Sequence, residues 1–583
     1  MMRKITWVMI SCLLVIALLL PSCKGAAEEP AASEEEEVVV PAKDEPVYGG
    51  TLTPAFCVQN WAGGPTGWDM VKWTWMGHAY QSFVCDGLLM GDFTKGPSGT
   101  GEFTFASTDF ISDAAATGAL AESWEFSTPT ILHFNLREGV KWQNKFPTYG
   151  RALTADDVVW ALNRTIGFED GKGRWPRHNF LKAVTKVDDS TIQFEFTDPM
   201  AFWGYEIGWG PYMLIYPPES EEAGLDDWKN IAGTGPFYVE DYVSDSQVTF
   251  ARNPDWWATW TKDGKTYQLP FLDKIIIPIM PDMAARQAAF RTGKLDIYQM
   301  GGMMTKRDIL EVSPELEDIL GSTQVMRGGG WNLLIPWDKE PYNDIRVRQA
   351  LNMALDRQAL IDAFYEGVGD LLYFPLQKSD GPTLYTPLED CPESIQMQYE
   401  YDPVKAKQYL ADAGYPNGFN TTITMGVSDT APDFGAMLQE FFAAIGVTAD
   451  LRIMEEATVQ AMGFDRSFEG LIAHGVQARP QVFNDMTCDH AYNFGGFCDE
   501  KFTADWAKAK TTPDIAQRDA LLKELMVYLN SLCPWIQMPT GAEWTAWWPW
   551  VKNYSGETSF GFHKHNYWAY AWIDEDKKAE LGY

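Results

Sequence analysis

From Tyr48 onward the sequence never keeps one hydrophobic period for long. Runs that alternate apolar and polar residues give way to runs with apolar residues three and four apart, and glycine and proline mark the changes. A chain patterned in this way places strands and helices in turn, so the expected fold class is α/β or α+β. Strand-like stretches fall at Thr191–Phe196, Gln247–Ala251, Lys274–Ile279 and Asn420–Met425. Helix starts are explicit. Thr154-Ala155-Asp156-Asp157 has the form of a capping box, with Asp where Glu or Gln is usual, and leads into the apolar run Val158–Leu162. Asp402-Pro403 supplies an N-cap and a proline at the first helical position, for a helix running to about Ala413 with Gly414 beyond it. Asp344 is placed to cap Ile345–Leu355, and Asp356 to cap Arg357–Phe364. The length of 583 residues suggests several domains.

The first residues form a separate unit. Arg3 and Lys4 precede the apolar run Ile5–Leu20, which is short for a membrane span and reads as an export signal. It ends in Leu19-Leu20-Pro21-Ser22-Cys23, which resembles the bacterial lipobox, so Cys23 is the expected lipid attachment site, carrying acyl chains such as palmitate, and residues 1–22 the signal peptide. Residues 23–46 contain Glu34–Glu37 together with Pro41 and Pro46, an extended acidic tether. The expected location is therefore extracytoplasmic, with the protein held at a membrane by its lipid. Acidity is not confined to the tether. The whole chain has 46 Lys plus Arg against 80 Asp plus Glu, a net −34, and residues 47–583 keep 42 against 72, a net −30. Such a body repels nucleic acid, which drops out as a partner. The 25 Trp against 7 His favour stacking and burial over imidazole chemistry.

A series of short motifs then carries a resemblance. In order, they are Tyr48–Leu52, Leu120–Phe126, Leu136–Trp142, Leu153–Val158, Gly233-Thr234-Gly235-Pro236-Phe237, Arg252–Trp257, Phe271–Ile275, the pair Gly293 and Asp296, Asn343–Leu351 and Ala411–Gly418. Together they resemble the extracytoplasmic solute-binding proteins of ABC importers for oligopeptides, dipeptides or nickel complexes, solute-binding family 5, over about residues 48–573. The resemblance implies a two-lobed Venus-flytrap α/β fold with two crossing hinge strands. It places lobe I at 47–328 with an extra subdomain at about 75–210, lobe II at 329–539, and a return to lobe I at 540–583. The crossings are expected near Gly328–Asn332 and Pro534–Gln537. Implied partners are a small solute, a permease heterodimer with cytoplasmic ATPases, and the membrane through the lipid; a monomer without cofactor or metal is expected.

The first crossing nominates Gly329, Gly330, Trp331 and Asn332 as ligand contacts. Gly328–Gly330 also suit a hinge, because glycine lets a backbone approach a ligand or change φ. The second nominated stretch runs from Gly470 to Phe483. In peptide-binding relatives it carries an Asp that pairs with the ligand's α-ammonium, a few residues before an Asp-Pro step. Here that step is Arg479-Pro480, no acid stands between Glu469 and Asp485, and the anchor position falls at Val476. An ammonium desolvated without a counter-charge costs several kcal/mol, so a free N-terminus is not expected to be held in the family's usual way. His474, Gln477 and Arg479 remain candidates, with Arg479 suited to a carboxylate or phosphate unless it is structural.

Other residues invite other chemistry. His563-Lys564-His565 would place two imidazoles on one face of a strand, but surface-exposed strand residues are the expectation. Cys488 and Cys498 are expected to form a disulfide in an oxidising exterior, and Cys57, Cys85, Cys391 and Cys533 leave two further bridges open. Neither a Gly-x-Ser-x-Gly elbow nor a His-Glu-x-x-His run is present. The leading function is thus a transport receptor that captures a peptide-like or anionic solute between its lobes and is not an enzyme. A surface sensor of the same fold, or a secreted hydrolase, stands as the alternative.

Overall fold

In Thr191–Phe196 the alternation Thr-Ile-Gln-Phe-Glu-Phe turns Ile192, Phe194 and Phe196 to the interior and leaves the residues between them partly exposed. The computed structural model to which this strand belongs describes residues 45–583 apart from 57–64, 66, 70, 72–74, 108–109, 168–179, 300–305, 327, 429, 489 and 491. The export signal, most of the tether, Cys23 and Cys57 lie outside the described residues. Thr191–Phe196 stands in an antiparallel sheet ordered Ala121–Thr128, Ile131–Leu136, Thr191–Phe196, Leu181–Lys186. Helix Ala155–Ile166 packs beside it. Its capping box is formed: Asp157 N–H donates to Thr154 Oγ1 at 3.3 Å, and Thr154 N–H donates to Asp157 Oδ2 at 2.9 Å.

The other caps behave as local chemistry requires. Asp402 caps Pro403–Asp412, and Gly414 follows at φ +96°. The helix capped by Asp344 ends at Met353, two residues short of expectation. Asp356 must leave the helical region to accept from Ala359 N–H, so the preceding helix has to stop before it.

Two five-stranded sheets set the architecture. One is ordered Gly321–Met326, Thr540–Trp547, Ile297–Gln299, Pro54–Phe56, with Gly369–Asp370 also pairing to Thr540–Trp547. The other is ordered Thr448–Met454, Asn420–Gly426, Leu471–Gln477, Gly329–Leu334, Trp535–Gln537. The chain passes from the first to the second between Met326 and Gly329, and it returns between Gln537 and Thr540. The apolar cores divide accordingly. One cluster draws on Leu52–Leu316 and again on Trp544–Ile573, while two others draw on Leu333–Met538, joined by Ala201 and Phe202.

One expectation is corrected and one open alternative is decided. His563, Lys564 and His565 are neither a strand nor exposed: they form a turn buried to 7%, 2% and 1% exposure. Long-range packing decides this, because the His565 ring stacks on Phe83 at 5.7 Å and Lys564 Nζ donates to the Leu89 carbonyl at 2.9 Å. Cys85, Cys391 and Cys533 are buried free thiols, so no bridge joins them, whereas Cys488 and Cys498 are joined by a disulfide.

Burial brings the Lys564 ammonium down to about 7. The unfolded chain keeps this group protonated to about pH 10.4. Between these values the unfolded state binds one more proton, so the stability contributed here rises with pH, by at most about 1.4 kcal/mol per unit. In Lys564→Met that slope is gone. The difference in urea unfolding free energy, wild type minus variant, is expected to rise from pH 7.5 to 9.5; a flat difference would show that Lys564 stays charged when buried.

Candidate functional site

The Gly329–Leu334 strand is hydrogen-bonded on both sides where the chain crosses. It pairs antiparallel with Leu471–Gln477, setting Gly329 opposite Gln477, Gly330 opposite Val476, Trp331 opposite Gly475 and Asn332 opposite His474. On its other side it pairs with Trp535–Gln537. The two stretches nominated from sequence are therefore neighbours in one ladder, and their alternation sorts them onto two faces. Trp331 turns toward the helix side and meets Phe434 edge-on at 5.8 Å, inside a hydrophobic cluster. Gly330, Asn332, His474 and Val476 share the opposite face.

That face is crowded and polar. A side chain at Gly330 would meet the Tyr373 hydroxyl at 2.6 Å. Asn332 is fully buried; its Oδ1 accepts from Met538 N–H at 3.3 Å and from the Tyr373 hydroxyl at 3.4 Å, while its Nδ2 has no partner among the described residues. His474 packs on Phe494 at 4.7 Å, and burial lowers its imidazole to about 4, so it is neutral at pH 7. The side chain of Gln477 lies over Gly329. Arg479 sits at the rim with Nη2 3.9 Å from Asp485 Oδ2, and its N–H donates to the Pro375 carbonyl at 3.0 Å. Arg479 thus has an acid within reach, and His474 adds no charge to this face.

The returning crossing is held from behind. Arg348 donates to the carbonyls of Leu532 and Cys533 at 3.0 Å each. Arg357 donates to Gln537 O at 2.9 Å and to Asn352 Oδ1 at 2.7 Å, while Asn352 Nδ2 donates to Trp535 O at 3.0 Å.

Beside the first crossing lies a cavity of about 240 Å³ whose walls come from three separate segments: Thr104, Val325–Met326, and Asp370 with Gln377 and Lys378. Gly328, at φ +64°, occupies the left-handed region that favours glycine, and the Gln377 side chain packs against it. Burial raises the Asp370 carboxyl. None of these wall residues, nor Tyr373, is singled out by the sequence analysis. Among the described residues no cluster of three or more His, Cys, Asp or Glu is placed to hold a metal ion.

The lobes also touch away from the crossings. Arg518, 9% exposed, pairs with Asp113 at 3.0 Å and donates to the Ala201 carbonyl at 3.1 Å. Ala201 N–H donates to Lys510 O at 2.8 Å, and Phe202 stacks on Trp506 at 5.5 Å. These contacts join Asp113, Ala201 and Phe202 to the helices Glu500–Lys510 and Ile515–Ser531.

The family model of the bacterial extracellular solute-binding proteins, family 5, matches residues 115–491. Heme-binding protein A of Haemophilus influenzae is 28% identical over 481 residues, 76% of this chain and 82% of that protein. The dipeptide-binding protein of Escherichia coli is 26% identical over 469 residues, 74% and 81% of the two chains. Among solved structures, the ABC transporter-associated periplasmic binding protein DppA of Helicobacter pylori, in complex with the peptide STSA, aligns with a TM-score of 0.69 at 21% identity, covering 91% of this chain and 99% of that one. The oligopeptide-binding protein AppA of Bacillus subtilis, in complex with a nonapeptide, aligns with a TM-score of 0.67 at 18% identity, covering 91% and 100%. These likenesses give the fold, a two-lobed periplasmic-binding-protein architecture.

The Arg518–Asp113 contact predicts a closure effect. Asp113 is partly exposed, so its removal should shift the open–closed balance by about 1 kcal/mol, roughly fivefold. Small-angle X-ray scattering of Asp113→Ala is expected to give a larger radius of gyration than wild type; identical curves would take this pair out of closure.

Proposed function

The chain belongs to the bacterial extracellular solute-binding proteins, family 5, and on that premise we propose that it is the extracytoplasmic receptor of an ABC importer. It captures a small solute of peptide-like character between its lobes and delivers it to a permease heterodimer driven by cytoplasmic ATPases. The observation that carries this reading is the match of one family model across residues 115–491, a span with elements on both sides of the Gly329–Leu334 crossing. Relatives named for dipeptide and glutathione binding support a peptide-like ligand. The crossing supports it too: the Asn332 Nδ2, without a partner among the described residues, is a hydrogen-bond donor for a polar solute. The neutral state of His474 and the Arg479–Asp485 pair turn the reading away from an anionic solute.

Binding without turnover is the direct expectation. Native mass spectrometry of protein purified without refolding should show one retained small molecule per chain, recovered chemically unchanged. A released product, or a protein that never retains or saturably binds a solute, would count against a receptor.

Anchoring is proposed from the sequence around Cys23. No helix among the described residues is long and apolar enough to cross a membrane; the proposed hold is a lipid on Cys23. Replacing Cys23 with Ser should abolish labelling by an alkyne palmitate analogue and move the protein from the membrane to the soluble fraction; continued labelling would place the lipid elsewhere.

A further inference from the structure

Cys488 and Cys498 stand ten positions apart, and the loop their disulfide closes reaches the candidate binding face. Within it Phe494, 2% exposed, sets its ring edge-on against the His474 imidazole at 4.7 Å. Rings continue outward from there. Phe464 meets Phe494 at 4.8 Å and Tyr492 stacks on it at 6.1 Å, and both of these outer rings are exposed. Phe494 is thus the buried ring of the series, with His474 on one side and exposed rings on the other.

His474 lies opposite Asn332 in the ladder, so its hydration decides what charge that face can carry. Burial alone lowers the imidazole to about 4, with no charged group contributing. In the adjoining segment Asp485 lies 3.9 Å from Arg479 and 3.4 Å from His490. From helix Glu456–Phe464 the residues against Phe494 are Gly463 and Phe464, and beyond that helix Arg466 lies over Gly496.

Two kinds of tie hold Phe494 in place. Asn493 is buried, donates to the Thr487 and Phe497 carbonyls and accepts from Phe497 N–H at 3.0 Å, while Trp337 N–H donates to the Gly495 carbonyl at 2.9 Å. Thr487 and Phe497 adjoin Cys488 and Cys498, so the Asn493 bridge and the disulfide close the same loop. A cross-link removes open arrangements of a loop that hydrogen bonds, each weak against water, leave accessible. Cys498 is exposed, so the bond can be reached from outside.

We propose that the Cys488–Cys498 loop is a redox-sensitive shield of the binding face: oxidised, it holds Phe494 on His474 and keeps water away; reduced, it releases Phe494 and opens His474 to solvent. A hydrated imidazole takes up a proton in mild acid, which turns this face basic. The reductant is a dithiol. One of its thiolates attacks the Cys498 sulfur and forms a mixed disulfide, while the Cys488 thiolate leaves and is protonated; the second thiolate then displaces Cys498. The protein disulfide gains two electrons and two protons and becomes a pair of thiols, and the dithiol ends as a cyclic disulfide. The effect on solute, weaker retention by a wetter face, rests on the receptor reading above.

NMR titration of isotope-labelled histidine, with His474 assigned by His474→Gln, tests this in wild type with and without dithiothreitol, in the double variant Cys488→Ser with Cys498→Ser, and in Phe494→Ala. The His474 pKa is expected to rise from about 4 toward 6.5, by at least about one unit, on reduction and in both variants. Native mass spectrometry should show the fraction of chains carrying solute falling about twofold or more on reduction. An unchanged His474 titration in protein whose thiols are shown free by alkylation would overturn the proposal and leave the receptor reading standing. So would a rise in Phe494→Ala alone, since the shield would then lack redox control, and so would loss of native circular dichroism on reduction, since the disulfide would then brace the whole lobe. A shifted titration with undiminished solute would overturn it too, because the shield would not govern binding. If the oxidised protein retains no solute, the receptor reading fails, and the His474 titration alone decides the shield.

Discussion

The guanidinium groups of Arg348 and Arg357 are buried in the second lobe, and neither forms an ion pair among the described residues. Both act on backbone carbonyls of the segment Leu532–Gln537. A buried cation without a carboxylate is tolerable only when fixed acceptors replace its hydration, and here those acceptors include the returning crossing beside Tyr342, Asn352 and Gln398. Desolvation lowers Arg357 to about 10, which still leaves it charged at pH 7. The grip sets the position of Trp535–Gln537, which in turn fixes one edge of Gly329–Leu334, and that strand presents the candidate binding face. Moving either arginine would therefore disturb the cleft without touching a ligand.

Charge at the cleft is a local matter. The body is strongly acidic, yet beside the crossings Arg479 meets Asp485, His474 is neutral, and Arg348 and Arg357 keep their positive charge. Net charge disfavours nucleic acid as a partner through long-range repulsion. It carries little information about a small cavity whose wall holds one carboxylate and one ammonium, Asp370 and Lys378.

Local chemistry was legible and long-range packing was not. The caps at Thr154, Asp344, Asp356 and Asp402 form because each depends on a residue two or three positions away. The ladder between Gly329–Asn332 and His474–Gln477 joins segments that the motif order had already nominated. Burial of His563–His565 depends instead on residues 78–91, far away in the chain, so an alternation that reads as a surface strand becomes an interior turn. The cavity by Gly328 escapes sequence reading for the same reason, since its walls come from residue 104, residues 325–326 and residues 370–378, and no local period links them. Arg479 illustrates a third case: its type was informative, but its partner Asp485 decides what it can do.

Thr540 Oγ1 donates to the Gly329 carbonyl, which ties the two crossings together at the point where each changes sheet. Two separate strands between rigid bodies would permit bending and also shear or twist. Cross-linked side by side, they act as a single flexure with one soft axis. The left-handed backbone at Gly328 lies on that axis, so small rotations there are converted into large displacements at the distant rim where Asp113 and Arg518 meet. Mechanical economy of this kind lets a small solute near the pivot govern a surface much wider than itself.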